Sequence, residues 1–367
     1  MLKQYKLKDY NFRLIIWIVA LSILGIMVIG SANSSFQLKQ LVGLGLGIAA
    51  MVIVSLIDYS WLLNFYWIFY AAGIVMLALV PVVGKEVNGA TRWIDLGFFQ
   101  FQPSDVMKII LIMFFAKLFS KYEEKISTIR IILLSLVCLG IPLVFIESQP
   151  DLSTTIAIAL VFCAMIFIAG LSYKIIGGII VVAIPAVVIF FSIILQPGQT
   201  LLENYQLDRI LAWLKPTEYA TEAYQQQNSI IAIGSGQLYG KGLNNNIVSS
   251  VKNGNFIAEP QTDFIFAVAG EELGFLGCCI IIILELVIAV ECVRMGKKAR
   301  DLSGSLICCG LAAQIFFQCF MNICVATGLL PNTGLTLPFV SYGITSLVSF
   351  FIGIGVVLNI GLQVRKY

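Results

Sequence analysis

Apolar runs of eighteen or more residues recur along the whole of this 367-residue chain, and nothing else in the sequence restricts the fold as strongly. Each run lets an α-helix cross the roughly 30 Å hydrocarbon core of a bilayer at about 1.5 Å per residue. A transmembrane barrel is excluded, because barrel strands alternate polar and apolar residues whereas these runs are continuous. Only 12% of the residues are charged, about half the usual share in soluble domains, and the mean hydropathy is +0.95. The predicted class is an all-α, polytopic integral membrane protein.

Ten spans fit the runs: 12–30, 36–57, 61–83, 103–120, 128–146, 152–169, 173–195, 264–292, 304–328 and 339–362. Lys and Arg mark cytoplasmic loops. Ten spans place Lys3, Lys6, Lys8 and Arg13, the groups Lys117–Arg130 and Arg294–Arg300, Lys174, and Arg365 with Lys366 all on one side. Both termini are therefore expected in the cytoplasm. The opposite face receives 84–102, 147–151, 196–263 and 329–338, all rich in Gly, Pro, Asn, Gln or aromatics. Segment 196–263, between the seventh and eighth spans, is too long for a plain connector. Its residues 201–214 read as an amphipathic helix lying on the membrane, closed by Pro216. The whole chain, 1–367, reads as one transmembrane domain. The first run lacks an A-x-A cleavage site and is expected to remain as a span.

The chain has no histidine, so proton transfer falls to a carboxylate, Lys, Tyr or Cys. The nine cysteines lie in or beside apolar runs with no C-x-x-C pair, which reads as small hydrophobes rather than a zinc site. Attention passes to Glu259-Pro260-Gln261-Thr262-Asp263-Phe264, where the longest polar segment meets an apolar run. Asp263 is either an ordinary helix N-cap or a general base at the membrane surface. A helix N-terminus would lower its pKa. Glu271 and Glu272 would lie roughly 12 Å further along the helix. Acids at membrane depth mark function or a buried partner, and Lys108 and Arg92 are the expected partners.

Four further segments carry motif character. In 88–97, Arg92 and Trp93 are either an interfacial anchor pair or, with Lys108, a grip on a phosphate. Ser148 to Thr154 reads as a capping turn. Gly234 to Gly242 resembles a phosphate loop but has Gly242 where Ser or Thr must follow Lys241. A backbone nest for pyrophosphate or a flexible turn remain for it. Leu330 to Gly343, which includes Ser341, reads as a broken element lining a cavity.

Taken in order, these motifs resemble the SEDS family (shape, elongation, division and sporulation). They are Gly89-Ala90-Thr91-Arg92-Trp93-Ile94 with Gln102-Pro103-Ser104; Gln149-Pro150-Asp151-Leu152; Tyr224-Gln225-Gln226 with Ala232 to Gly236 and Gly240-Lys241-Gly242; Glu259 to Ala267 with Gly270 to Gly274; and Gly328 to Pro331 through Pro338 to Gly343. The resemblance covers essentially the whole chain, and its compact length with short tails is most like the RodA branch. It implies a ten-helix peptidoglycan glycosyltransferase that polymerises lipid II on the outer face of the bacterial cytoplasmic membrane for elongation and shape. Its implied partners are a class B penicillin-binding protein, the elongation machinery and membrane lipids, with no nucleic acid.

Carried over, the family's essential acid falls on Asp263, its Arg-Trp pair on Arg92 and Trp93, and its fourth-helix Lys on Lys108. Arg209 and Lys241 are further candidates for the leaving pyrophosphate, with Glu271 and Ser341 in the same substrate-binding set. A divalent cation, Mg or Mn, could share the charge, although no ligand cluster is visible. The chain departs from the family at Gln261 (usually His), Asp105 (Glu), Ser153 (Gly) and Ile344 (Gly). The Gln261 departure argues that the family's His is not the base. A lipid flippase or transporter, and a non-catalytic scaffold, remain as alternatives.

Overall fold

The computed structural model describes residues 10–87, 90–97, 99–194, 204–244, 250, 254 and 256–363. The basic residues Lys3, Lys6, Lys8, Arg365 and Lys366, motif residue Gly89 and the start of the amphipathic segment, 201–203, lie outside the described residues. The helices, in chain order, follow the expected spans closely. They are α1 (Phe12–Ala32), α2 (Ser34–Leu56), the single turn α3 (Tyr59–Leu62), α4 (Tyr66–Val83), α5 (Pro103–Lys121), α6 (Ile129–Glu147), α7 (Leu152–Ile168) and α8 (Tyr173–Ile194). After the long polar segment come α11 (Ile265–Lys297), α12 (Leu302–Ala326) and α13 (Ile344–Leu362). Among the described residues, seven of the helical stretches are long and apolar enough to cross a membrane. The ends are set by local chemistry: Asn11, Asn33, Asp58, Asp151 and Asp301 each accept a backbone N–H from the first turn of the next helix.

Two helices fold within the polar segment: α9 (Asn204–Leu214), on the predicted amphipathic stretch, and α10 (Ala220–Ser235), for which the sequence carries no clear apolar period. The helices are interrupted by a three-stranded antiparallel sheet in order β1 (Lys85–Val87), β2 (Ala90–Asp95), β3 (Gln100–Phe101). Trp93 pairs with Lys85 and Ile94 with Phe101, and β3 runs directly into Pro103 at the start of α5. The sheet is short because its turns and the helices at either end leave room for few residues.

Helix α13 is almost wholly buried and packs on α2, α5, α11 and α12. Glycines at 43 and 47 let α2 come close: a Cβ at Gly47 would lie 2.7 Å from the Phe351 ring. The outer helices expose apolar side chains such as Ile53, Ile68, Val144 and Ile283, the faces that meet lipid.

Helix α11 is broken. Gly274 adopts φ 67°, ψ −165°, a region open in practice only to glycine. The groups freed by the break are taken by the loop after α10: Phe275 N–H donates to Gln237 O (2.8 Å) and Leu276 N–H to Leu238 O (3.2 Å). In return Lys241 and Gly242 N–H donate to Glu271 and Glu272 O, each at 2.9 Å. The approach requires glycine on both sides, since a Cβ on Gly240 would lie 2.2 Å from Glu272 O and one on Gly274 2.3 Å from Gly240 N. Residues 275–293, between the break and Arg294, rise roughly 28 Å, a hydrocarbon thickness. The break therefore belongs at the membrane surface, and Glu271 and Glu272 with it rather than deep in the bilayer.

Candidate active site

The segments expected to share one face do meet at one end of the helices. Arg92 of β2 donates from Nε to Gln149 O (2.9 Å) and from Nη2 to Pro150 O, in the turn between α6 and α7. Its Nη1 lies 4.0 Å from Asp151. Trp213 and Arg209 of α9 reach the segment after α12, at Gly328 O (2.9 Å) and Asn332 O (3.5 Å). Ser153 hydrogen-bonds Thr333 O, and Gln226 of α10 clamps Val325 O (2.8 Å) and Leu330 O (2.7 Å).

Asp263 stands in the middle of this assembly. It does not cap α11: the cap is Phe264, with no side-chain cap bond, and Asp263 belongs to the turn before it. The segment 328–343 packs against that turn, so tertiary contacts rather than capping fix its backbone. Three successive carbonyls are held from the α12–α13 side: Gln261 O by Tyr342 N–H (2.9 Å), Thr262 O by the Ser341 hydroxyl (2.7 Å) and Asp263 O by Asn322 Nδ2 (2.7 Å). Gly334, at φ 77°, passes over the carboxylate so closely that a Cβ there would lie 3.3 Å from Oδ2.

No hydrogen bond or ion pair reaches the Asp263 carboxylate among the described residues. Loss of water around it pushes its pKa up to about 6. Arg92 and Arg209 pull it down, and Glu259 and Asp151 push it up. The lowering expected from the helix terminus is thus overturned, because desolvation by the covering segment outweighs it. A carboxylate of this pKa is still largely ionised at neutral pH and is a stronger base than an ordinary one.

The remaining predicted residues divide. Arg92 and Arg209 face the acid, and Trp93 is half-buried on the same strand as Arg92. Ser341 is buried and works as a staple: besides holding Thr262 O, its Oγ accepts Leu337 N–H (2.7 Å). Lys108 is sealed inside, 2.8 Å from Asp105 and 3.3 Å from Gln318 Oε1. It is not the partner of Glu271 or Glu272. Glu271 pairs with Lys241 at 2.7 Å, and Glu272 accepts the Ser31 hydroxyl at 2.6 Å. Helix geometry explains the correction: the two glutamates face α1 and the glycine loop, while Lys108 faces α12. The glycine loop, in turn, spends the amides of Lys241 and Gly242 on the α11 break.

Sequence reasoning passed over Asn322 and Gln318. Gln318 Nε2 donates to Thr336 O (2.9 Å), one turn before Asn322 donates to Leu335 O (2.6 Å). Their signal was visible: Gln314, Gln318 and Asn322 recur every fourth residue in an apolar helix, a polar stripe on one face.

The family of cell cycle proteins comprising FtsW, RodA and SpoVE matches residues 10–366. This chain belongs to that family. Stage V sporulation protein E of Bacillus subtilis is 35% identical over 340 residues, covering 90% of this chain and 88% of that protein. A probable peptidoglycan glycosyltransferase FtsW of Trichlorobacter lovleyi is 32% identical, covering 99% of this chain and 96% of its own length. Among solved structures, a chain of a peptidoglycan synthase complex that coordinates polymerization and crosslinking superposes with TM-score 0.78 at 27% identity, over 96% of this chain and 97% of that one. Thermus thermophilus rod shape determining protein RodA gives 0.71 at 26%, over 98% of each chain. As a member of this family with seven apolar spanning helices, the protein is a multi-pass membrane protein. Among the described residues no group of three acidic or Cys side chains forms a metal site.

Proposed function

We propose that this protein is a peptidoglycan glycosyltransferase that polymerises lipid II at the outer face of the bacterial cytoplasmic membrane. The observation that carries the reading is Asp263: a carboxylate held by its backbone, without a donor on its oxygens among the described residues, desolvated, and in the field of two arginines. Asp263 takes the proton from the 4-hydroxyl of the acceptor GlcNAc. The freed oxygen bonds to the anomeric carbon of the donor, and the bond to undecaprenyl pyrophosphate breaks with its electrons leaving on the phosphate. Arg92 and Arg209 neutralise that charge, the electrostatic demand of such a transition state. Lys241 and Lys108, held by Glu271 and Asp105, reach the pyrophosphate only if those pairs open. Trp93, half-buried beside Arg92, contributes to the substrate-binding surface, while Glu271 and Ser341, buried in their own contacts, act behind it by holding Lys241 and the turn that carries Asp263. A divalent cation, Mg or Mn, would assist at the pyrophosphate itself.

Support for the activity comes from relatives named peptidoglycan glycosyltransferases. We read both termini as cytoplasmic, a reading the distribution of Lys and Arg along the sequence supports. A class B penicillin-binding protein is the proposed partner, by analogy with the structurally similar synthase complex, and elongation is the proposed role, by likeness to RodA. The transporter reading is weakened by the break in α11, whose backbone groups are occupied by the glycine loop instead of being left for a substrate.

The test is lipid II polymerisation by purified wild type and Asp263→Ala, with and without the penicillin-binding protein. Loss of a general base predicts a drop of about 10²- to 10⁴-fold with folding and partner binding kept. Polymer made at the wild-type rate by the mutant, or lipid translocation without polymer in liposomes, would overturn the assignment.

A further inference from the structure

We propose that Asn322 is the positioning residue for Asp263, clamping the acid's own backbone to the segment that roofs it. The inference rests on the reading of Asp263 as general base and adds a residue to that reaction.

Asn322 lies near the end of α12 and is 1% exposed. Its Nδ2 uses both hydrogens, one on Asp263 O at 2.7 Å and one on Leu335 O at 2.6 Å. A single planar amide therefore fixes the spacing between the turn that carries the acid and the segment that covers it. Leu335 adjoins Gly334, the residue lying against Asp263 Oδ2. The neighbouring bonds, Tyr342 to Gln261 and Ser341 to Thr262, stop one residue short. Among the described residues the Asn322 bond is the one hydrogen bond made by Asp263 itself.

The amide orientation follows from the two carbonyls, which accept only from N–H, so Oδ1 is turned away from both. That oxygen is buried and has no partner among the described residues. The side chain is thus committed to the acid and its roof on the donor side. Thr333 Oγ1, on the same roof, is likewise buried without a partner. Without the clamp the turn before α11 can rotate, carrying the carboxylate out from under Gly334 toward water and away from the geometry set by Arg92 and Arg209.

The experiment compares wild type, Asn322→Leu, Asn322→Asp and Asp263→Ala in lipid II polymerisation across pH. Asn322→Leu removes both donors, and Asn322→Asp sets oxygen against two carbonyls. Each is expected to lower kcat about 100-fold, the effect of a misplacement near 1 Å, with KM for lipid II within about twofold. In Asn322→Leu the acidic limb of the pH profile should fall from about 6 toward the ordinary carboxylate value of 3.8 as the carboxylate regains water. In Asn322→Asp the added acid pushes the limb up, as Glu259 and Asp151 do, so that variant tests kcat alone. If Asn322→Leu fails to fold, Asn322→Gln, which keeps the donors but shifts them by a methylene, carries the same test with a smaller change. An unchanged limb, with or without a loss of kcat, would overturn the positioning role, since a merely structural residue would leave it in place. Full activity in Asp263→Ala would instead overturn the general-base reading on which the inference stands.

Discussion

Two acidic regions adjoin each other along α11, and they are built in opposite ways. At the Gly274 break most of the described polar groups are closed off in pairs, with Glu272 Oε2 the exception. Glu271 holds Lys241, Glu272 holds Ser31, Ser31 in turn accepts Asn244 N–H at 2.9 Å, and the broken ladder is completed by the glycine loop. About two turns toward the outside, Asp263 is pinned through its carbonyl while its carboxylate meets no donor among the described residues. Withdrawing either kind of acid from water is costly. At the break the cost is offset by pairing, and at the mouth it appears as a raised pKa. Among acids at a membrane surface, the one whose backbone is fixed and whose oxygens are left over is the one equipped to exchange a proton.

Variants can break the comparison from either side. The largest effect is expected at the mouth: Asp263→Asn, close to isosteric, should lower polymerisation by about 10²- to 10⁴-fold while the thermal midpoint in detergent at neutral pH holds or rises, because the neutral amide removes the cost of a desolvated charge. A lowered midpoint with retained rate would make Asp263 structural. At the break the expectation reverses. Gly274→Ala places a Cβ against Gly240 N at φ 67°, and should cost about 3 kcal/mol or more in denaturation, with activity per folded molecule falling less than stability does.

The Asp263 carboxyl also makes opposite pH predictions for rate and stability. Polymerisation should rise as pH passes upward through about 6, when the base ionises. The folded state holds this proton more tightly than the unfolded chain, so the stability contribution is present below pH 3.8 and is lost as pH rises through about 6. Asp263→Asn should abolish this group's contribution to the stability curve, which equilibrium unfolding between pH 4 and 7 would show.

Smaller effects should follow from loosening one pair at the break. Glu271→Gln keeps a hydrogen-bond acceptor for the partly exposed Lys241 and should cost about 1–2 kcal/mol in the same unfolding assay, with the pH limb of polymerisation unmoved. A shift in that limb would show that the two regions are coupled. The smallest is outside both: Lys85→Met removes a solvent-exposed pair with Asp95 and should leave stability and rate unchanged.

Much of this was legible in order along the chain. Span limits such as 103–120 against Pro103–Lys121 and 152–169 against Leu152–Ile168 were readable because long apolar runs and Pro or Asp caps are local signals. Asp263 and Arg92 were readable as candidates because an acid and a cation beside apolar runs are unusual. What was not readable depended on partners distant in sequence. The glycine loop could be a phosphate nest or a helix plug, and only the fold placed the carbonyls of Glu271 and Glu272 against its amides. Lys108 could grip a phosphate or pair inside, and α5 turned it toward Asp105 and Gln318.

The sequence by itself determined the membrane class, the approximate helices and the short list of charged residues, since apolar length and local caps act within a few turns of chain. Tertiary structure decided which acid at the membrane surface has no donor on its carboxylate among the described residues. Whether a carboxylate is paired, desolvated or roofed depends on segments 60 to 240 residues away, as Asn322 is from Asp263 and Ser31 from Glu272. No local pattern encodes the distance between them.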